Sequence, residues 1–149
     1  MATVDIRNFT RGQKPRLPFG KIADSVLPSW DISLVIAGED RARNLNHALR
    51  NKEYVPNVLS YKVGKASGEI ILCPSIARKE ASQYGHTYTE HLLFLFIHGL
   101  LHLKGLRHGD TMEKQERKYL RNALPLKSNG TTHSNRDRYR NAPNEGRRR

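Results

Sequence analysis

The 149-residue chain has one cysteine, Cys73, which excludes an intramolecular disulfide. Long apolar runs are missing too: the longest, residues 92–97, falls far short of the roughly 20 residues a membrane-spanning helix needs. The opening stretch MATVDIRNFTRGQK lacks the apolar core of a secretory signal. Together these gaps point to a reducing cytoplasm, with no membrane and no disulfide partner. Acidic residues are also scarce, 14 Asp and Glu against 26 Lys and Arg, which sets the net charge at +12 and the pI near 10.2. That imbalance favours a polyanionic partner, nucleic acid first.

What is present suits one domain with a single core. No internal repeat is visible, and the one clear shift in composition follows Leu126. Residues 1–126 are therefore read as the domain. Residues 127–149 are read as a basic, disordered tail, because they hold almost no large apolar side chains and seven Lys and Arg against two Asp and Glu. The tail carries +5 of the charge, so the domain remains basic at +7.

Within the domain, VDIRNF reads as a first strand, and DISLVIAG as a strand covered on both faces. Glu39 and Asp40 open a helix that ends near Arg50, with Ala42, Leu45, Ala48 and Leu49 on its inward side. PNVLSYKV and GEIILC read as neighbouring strands around the turn GKAS. Pro74 suits the first position of a helix over PSIARKEASQY, and Gly85 suits its stop. Thr87 and Glu90 have capping-box spacing for a helix over about residues 89–103, although Thr89 is an equally good cap. Being apolar on nearly every side, that helix must be central. A last helix starts at Asp110, turns Met112, Tyr119, Leu120 and Ala123 inward, and stops at Pro125. Interleaved strands and helices of this kind imply a layered α/β or α+β domain.

The central helix carries the chemistry in HGLLHLKGLRH, residues 98–108. Positions four apart share a helical face, so His98 and His102 can reach one small cation. Gly105 allows the chain to turn back, and His108 can then return to the same point. Neutral imidazoles suit Zn, Ni, Cu and Fe, and three of them leave a fourth position for water, as in catalytic zinc sites. For any one histidine, a hydrogen-bonded core or loop role is the commoner outcome. The triple in the most apolar helix shifts the balance, since a cation relieves the cost of burying unpaired rings. Glu69 and His86 are weak candidates for a general base, with structural roles in a strand turn and a helix cap as the simpler reading. The related metzincin spacing requires a glutamate after its first histidine; Gly99 in that place argues against a peptidase.

HGLLHLKGLRH closely resembles the H-G-x-L-H-L-x-G-x-D-H signature of the YbeY family of metal-dependent endoribonucleases. The likeness extends in order from about Asp31 to Leu124. It takes in LRNKEYVPNVLSY, SGEIILCPSIARKEA, YGHTYTEHLLFLFIHG and MEKQERKYL. The family's aspartate before the last histidine is Arg107 here, the threonine before its Asn or Asp is Val55 or Pro56, and Lys62 replaces a usual proline.

The resemblance implies a small α+β fold, a short mixed sheet packed by helices around the metal-binding one. It implies one zinc per chain on His98, His102 and His108, with other divalent transition metals as alternatives. It also implies cleavage of single-stranded RNA, late maturation of the small-subunit rRNA 3′ end and ribosome quality control, with ribosomal proteins as further partners. Arg50, by composition a solvated helix-end residue, falls on the family's functional arginine and becomes the catalytic candidate. Arg41, Arg43, Lys52, Lys62 and Lys65 are candidate RNA contacts, each equally open to being a solvated surface charge. The rival reading is a ribosome-assembly factor that binds rRNA without cutting it, with zinc holding only the fold.

Overall fold

The computed structural model describes residues 1–124. The expected tail, residues 127–149, and the stop at Pro125 lie outside the described residues. The elements follow the order β1 (Thr3–Asn8), α1 (Phe19–Val26), β2 (Asp31–Ile36), α2 (Glu39–Arg50), β3 (Val58–Gly64), β4 (Ser67–Leu72), α3 (Pro74–Glu80), a 3-10 turn (Ala81–Tyr84), α4 (Tyr88–Lys104) and α5 (Asp110–Ala123). The four strands form one mixed sheet in the order β1-β2-β4-β3. β1, β2 and β4 are parallel, and β3 is an antiparallel edge closed by the β3–β4 hairpin. This is the expected α+β fold.

The period-two alternation of the strands sorts the sheet into two faces. Ile32, Leu34, Ile36, Ile70 and Leu72 join the large cluster filled by α1, α4 and α5. Val35, Leu59 and Ile71 join a smaller one with Ala42 and Leu45 of α2. Each fully buried Leu, Ile or Phe contributes about 1.5–3 kcal/mol, so α4, buried continuously from His91 to Leu101, is the principal anchor of the domain. Gly99 lets it lie close to the sheet: a Cβ there would stand 3.2 Å from Ile70 Cγ2. At its start Thr87 accepts from the Glu90 N–H and Glu90 accepts from the Thr87 N–H, so Thr87 is the cap and Thr89 is not.

Three local expectations change. Helix α1 went unread, although Phe19, Ile22, Ala23 and Val26 stand at helical spacing and are buried; Pro15, Pro18 and Gly20 around its start mask the pattern. The helix expected over residues 74–84 is α3 followed by the 3-10 turn, which ends at Gly85 with φ +69°. In α2 the buried residues are Ala42 and Asn46, whereas Ala48 and Leu49 are exposed. The helix leans on the sheet near its middle, and its inward edge then meets the following chain, where the Asn46 side-chain amide donates to the Tyr54 carbonyl at 3.0 Å.

A polar chain joins Asn57, just before β3, to α3 and α4. The Asn57 amide donates to Glu80 Oε1 at 3.1 Å, His91 Nε2 lies 3.2 Å from the same oxygen, and His91 Nδ1 lies 3.1 Å from His86 Nδ1. Asn57, Glu80 and His91 are all buried, so their mutual hydrogen bonds offset the desolvation that burial imposes.

Candidate metal centre

Helix α4 positions His98 and His102 one turn apart on the side facing α5, and then stops. Gly105 takes φ +106°, and the Leu106 N–H bonds back to the Leu101 carbonyl at 3.0 Å. That Schellman-type closure satisfies the last carbonyls and reverses the chain. His108 stands in the reversal, and Gly109, at φ +150°, leads into α5.

The reversal brings the three rings together. Each offers one nitrogen, and the three nitrogens lie within 4.8 Å of one another. Ring centroids are 4.6 Å apart for His98 and His102, 4.9 Å for His98 and His108, and 4.7 Å for His102 and His108. His98 Nε2 and His102 Nε2 are 3.0 Å apart, close to the roughly 3.3 Å that two imidazole nitrogens span on a tetrahedral zinc. His98 is buried, His102 half-buried and His108 exposed, so the cluster has one closed side and one side open to solvent. The three-histidine group can hold a metal ion. As it supplies three donors, a four-coordinate cation would keep one position for water or substrate.

Behind His98, on the closed side, lies Glu116 of α5, 3% exposed, whose carboxylate contacts His98 Nδ1. With Nδ1–H donating to the carboxylate, Nε2 keeps its lone pair for a cation, which is the usual way an outer carboxylate sets the tautomer of a ligand histidine. Glu116 is not among the candidates that the sequence offers, where the residue before the last histidine is Arg107 in place of the family's aspartate. A signal was present: Glu116 lies midway between the buried Met112 and Leu120, four residues from each, so a carboxylate sits on an otherwise apolar stripe.

The other candidates are dispersed. Arg50 is the last residue of α2 and half-buried; Asn51 beyond it caps the helix at φ +56°. Lys62 and Lys65 stand at the β3–β4 hairpin, with Lys62 Nζ 5.6 Å from the Trp30 ring centroid. That end of β4 lies beside the end of α4, since Gly68 meets Leu103. Arg41 and Arg43 lie at the opposite end, in the first turns of α2; Arg43 pairs with Asp40 at 3.3 Å and Arg41 covers the Phe9 ring. Lys52 is exposed just after α2. Glu69 accepts the Tyr61 hydroxyl hydrogen bond, and burial together with that bond pushes the Tyr61 phenol up to about 12. His86 belongs to the polar chain.

Fold and cluster define the class: a small α+β domain with a three-histidine metal centre at the end of its central helix. The model of the family Endoribonuclease YbeY matches residues 13–124, and the chain belongs to that family. A relative named Endoribonuclease YbeY from Neisseria meningitidis is 37% identical over 109 residues, 62% of this chain and 64% of its own. Another of that name, from Thiobacillus denitrificans, is 35% identical over 102 residues, 65% of this chain and 69% of its own. The chain thus spans about two thirds of the length of these relatives. TM1509 from Thermotoga maritima, solved in solution, shares the fold with a TM-score of 0.59 at 22% identity, over 83% of this chain and 89% of that one.

Proposed function

We propose that the chain is a single-strand-specific, zinc-dependent endoribonuclease that trims the 3′ end of small-subunit rRNA late in ribosome assembly and acts in ribosome quality control. The observation that carries this reading is the convergence of His98, His102 and His108 with Glu116 behind them, in a basic chain of a family named for RNA cleavage. Zinc suits three imidazole donors and, when bound, supplies a Lewis acid and a water acidified toward pH 7. The work of the protein is to hold the donors. His98 is locked by Glu116, His102 is carried on the same helical face, and His108 is returned by the Gly105 reversal. Arg50 is assigned to the phosphoryl oxygens, where a guanidinium meets the charge that grows during cleavage. Lys52, Lys62 and Lys65 add phosphate contacts.

Residues 1–126 are taken as the catalytic domain. Residues 127–149 are taken as an extension that adds sequence-blind RNA affinity, so their removal should flatten the salt dependence of RNA binding and spare cleavage. The deciding experiment pairs metal analysis of the full chain with a cleavage assay on single-stranded RNA. Wild type should cut, His102→Ala should stay folded and lose both zinc and cleavage, and Arg50→Ala should keep zinc and lose turnover. RNA binding without cleavage by the zinc-loaded wild type would support the assembly factor instead.

A further inference from the structure

On the side of the sheet away from α4, one aromatic ring is exposed without an apolar reason. Phe9 follows β1, is 49% exposed and belongs to neither apolar cluster. Its backbone is nonetheless fixed. The Phe9 N–H donates to the Ile36 carbonyl at 2.9 Å, and Asn8 ties down the turn after it by accepting from the Thr10 N–H at 2.9 Å and donating to the Gly12 carbonyl at 2.8 Å. Alternation along β1 turns Val4 and Ile6 toward the α1 and α4 side, and so places Phe9 on the α2 side. There the Arg41 guanidinium lies 4.0 Å from the ring centroid.

The connection that follows the ring carries charge of one sign: Arg11, Lys14 and Arg16, all exposed. Among the described residues no carboxylate pairs with Arg41, Arg11, Lys14 or Arg16; the nearby acids are engaged elsewhere, Asp40 with Arg43, Glu39 with Ser75 and Lys79, and Asp5 with Arg7. An exposed ring on a fixed backbone, backed on one face by a guanidinium and followed along the chain by exposed cations, has the composition of a stacking platform for a single nucleic-acid strand. A base gains from the open aromatic face whatever its identity, and the cations take the phosphates.

We propose that Phe9 and Arg41, with Arg11 beside them, form a docking platform for single-stranded RNA apart from the cleavage centre; this rests on the RNA-cleaving reading above. The two places are well separated. Phe9 stands beyond Ile36, which pairs with Leu72, and on the opposite face of the sheet from α4, whose Gly99 lies against Ile70 and Leu103 against Gly68, about 7 to 13 Å along the strand at roughly 3.3 Å per residue. Helix α2 runs from the platform to Arg50, about 13 Å for nine residues at about 1.5 Å each. A strand stacked on Phe9 therefore has to extend several nucleotides to reach the metal centre. The platform selects for length and for single-strandedness, and takes no part in the chemistry.

The test uses the full chain with zinc bound, a fluorescein-labelled single-stranded RNA of about 16 nucleotides, and a dinucleotide of the same composition, within the site sizes that such platforms cover. Phe9→Ala and Arg41→Ala together should weaken binding of the long RNA about tenfold or more. Zinc content and melting temperature should be unchanged, as should cleavage of the dinucleotide by Phe9→Ala alone. Phe9→Trp should retain affinity, whereas Phe9→Leu, apolar but without a ring, should not. Equal affinity of wild type and double variant for the long RNA overturns the platform while leaving the RNA-cleaving reading intact; a wild type that binds no RNA overturns that reading first. Rescue by Phe9→Leu, or an equal loss of affinity for poly-glutamate, which would mark an acidic-protein surface, also overturns it.

Discussion

A histidine presents a usable lone pair to a cation only if its other nitrogen is kept protonated, and Glu116 performs that service for His98 from a helix 18 residues on. Glu116→Gln should lower zinc affinity about 10- to 100-fold, measured by competition with a chromogenic chelator, with the helical content of the protein unchanged. Unaltered affinity would show that packing alone holds the ring. A second residue-scale expectation concerns Tyr61, whose phenol is raised from 10.0 to about 12 by burial and by its bond to Glu69. The folded state prefers the neutral phenol, so this contribution to stability is fully present below pH 10 and disappears as the pH rises toward 12. Burial raises the Tyr88 phenol as well, so tyrosinate absorbance should show late-ionising tyrosines, and Tyr61→Phe should remove the contribution near pH 12. At this scale the sequence displayed the three histidines outright, because their spacing fits helical geometry. It concealed Glu116, because a buried carboxylate in the middle of a helix looks like any exposed one until its neighbours are known.

At the scale of elements, the end of α4 matters more than its length. Gly105 is held at φ +106°, where any residue with a Cβ pays about 1–2 kcal/mol. Gly105→Ala should therefore destabilise the fold by about that amount in urea titrations. It should also weaken zinc binding, because the turn that returns His108 is displaced. A loss of stability with full zinc affinity would mean that His108 is positioned from α5 instead. Helix α4 and its glycine stop were legible because apolar density and a helix-ending glycine agree there, whereas the choice of Thr87 over Thr89 as cap needed the structure. Helix α1 was not legible, since two prolines and a glycine crowd its start. The inward edge of α2 was misread because Asn46, a polar residue, is buried through a backbone partner eight residues later, a contact that periodicity does not report.

For the whole molecule, the metal centre joins α4 to the segment that begins α5, so zinc bound to the folded state alone should stabilise the entire domain. At a free zinc concentration about 100 times Kd the gain is about 2.7 kcal/mol. Dialysis against a chelator should lower the melting temperature, with restoration when zinc is returned. A melting temperature indifferent to zinc would show that the cluster binds the metal too weakly to matter. The alternation of strands and helices narrowed the fold class to a layered α/β or α+β domain, and the family resemblance supplied the choice between them. The strand order could not be read, because β4 inserts between β2 and β3 and nothing in a one-dimensional pattern names a neighbour in a sheet. The setting of Phe9 was equally hidden: alternation along VDIRNF puts it on the face of Asp5 and Arg7, but only the fold shows that the Arg41 guanidinium covers its ring there.

The contact between His98 and Glu116 also has a bearing on birth order. Its acidic half follows His108 by eight residues, so a nascent polypeptide emerging at about 5–20 residues per second exposes all three imidazoles before the group that orients the first of them. A chain halted between His108 and Glu116 carries its histidines without the brace that orients His98.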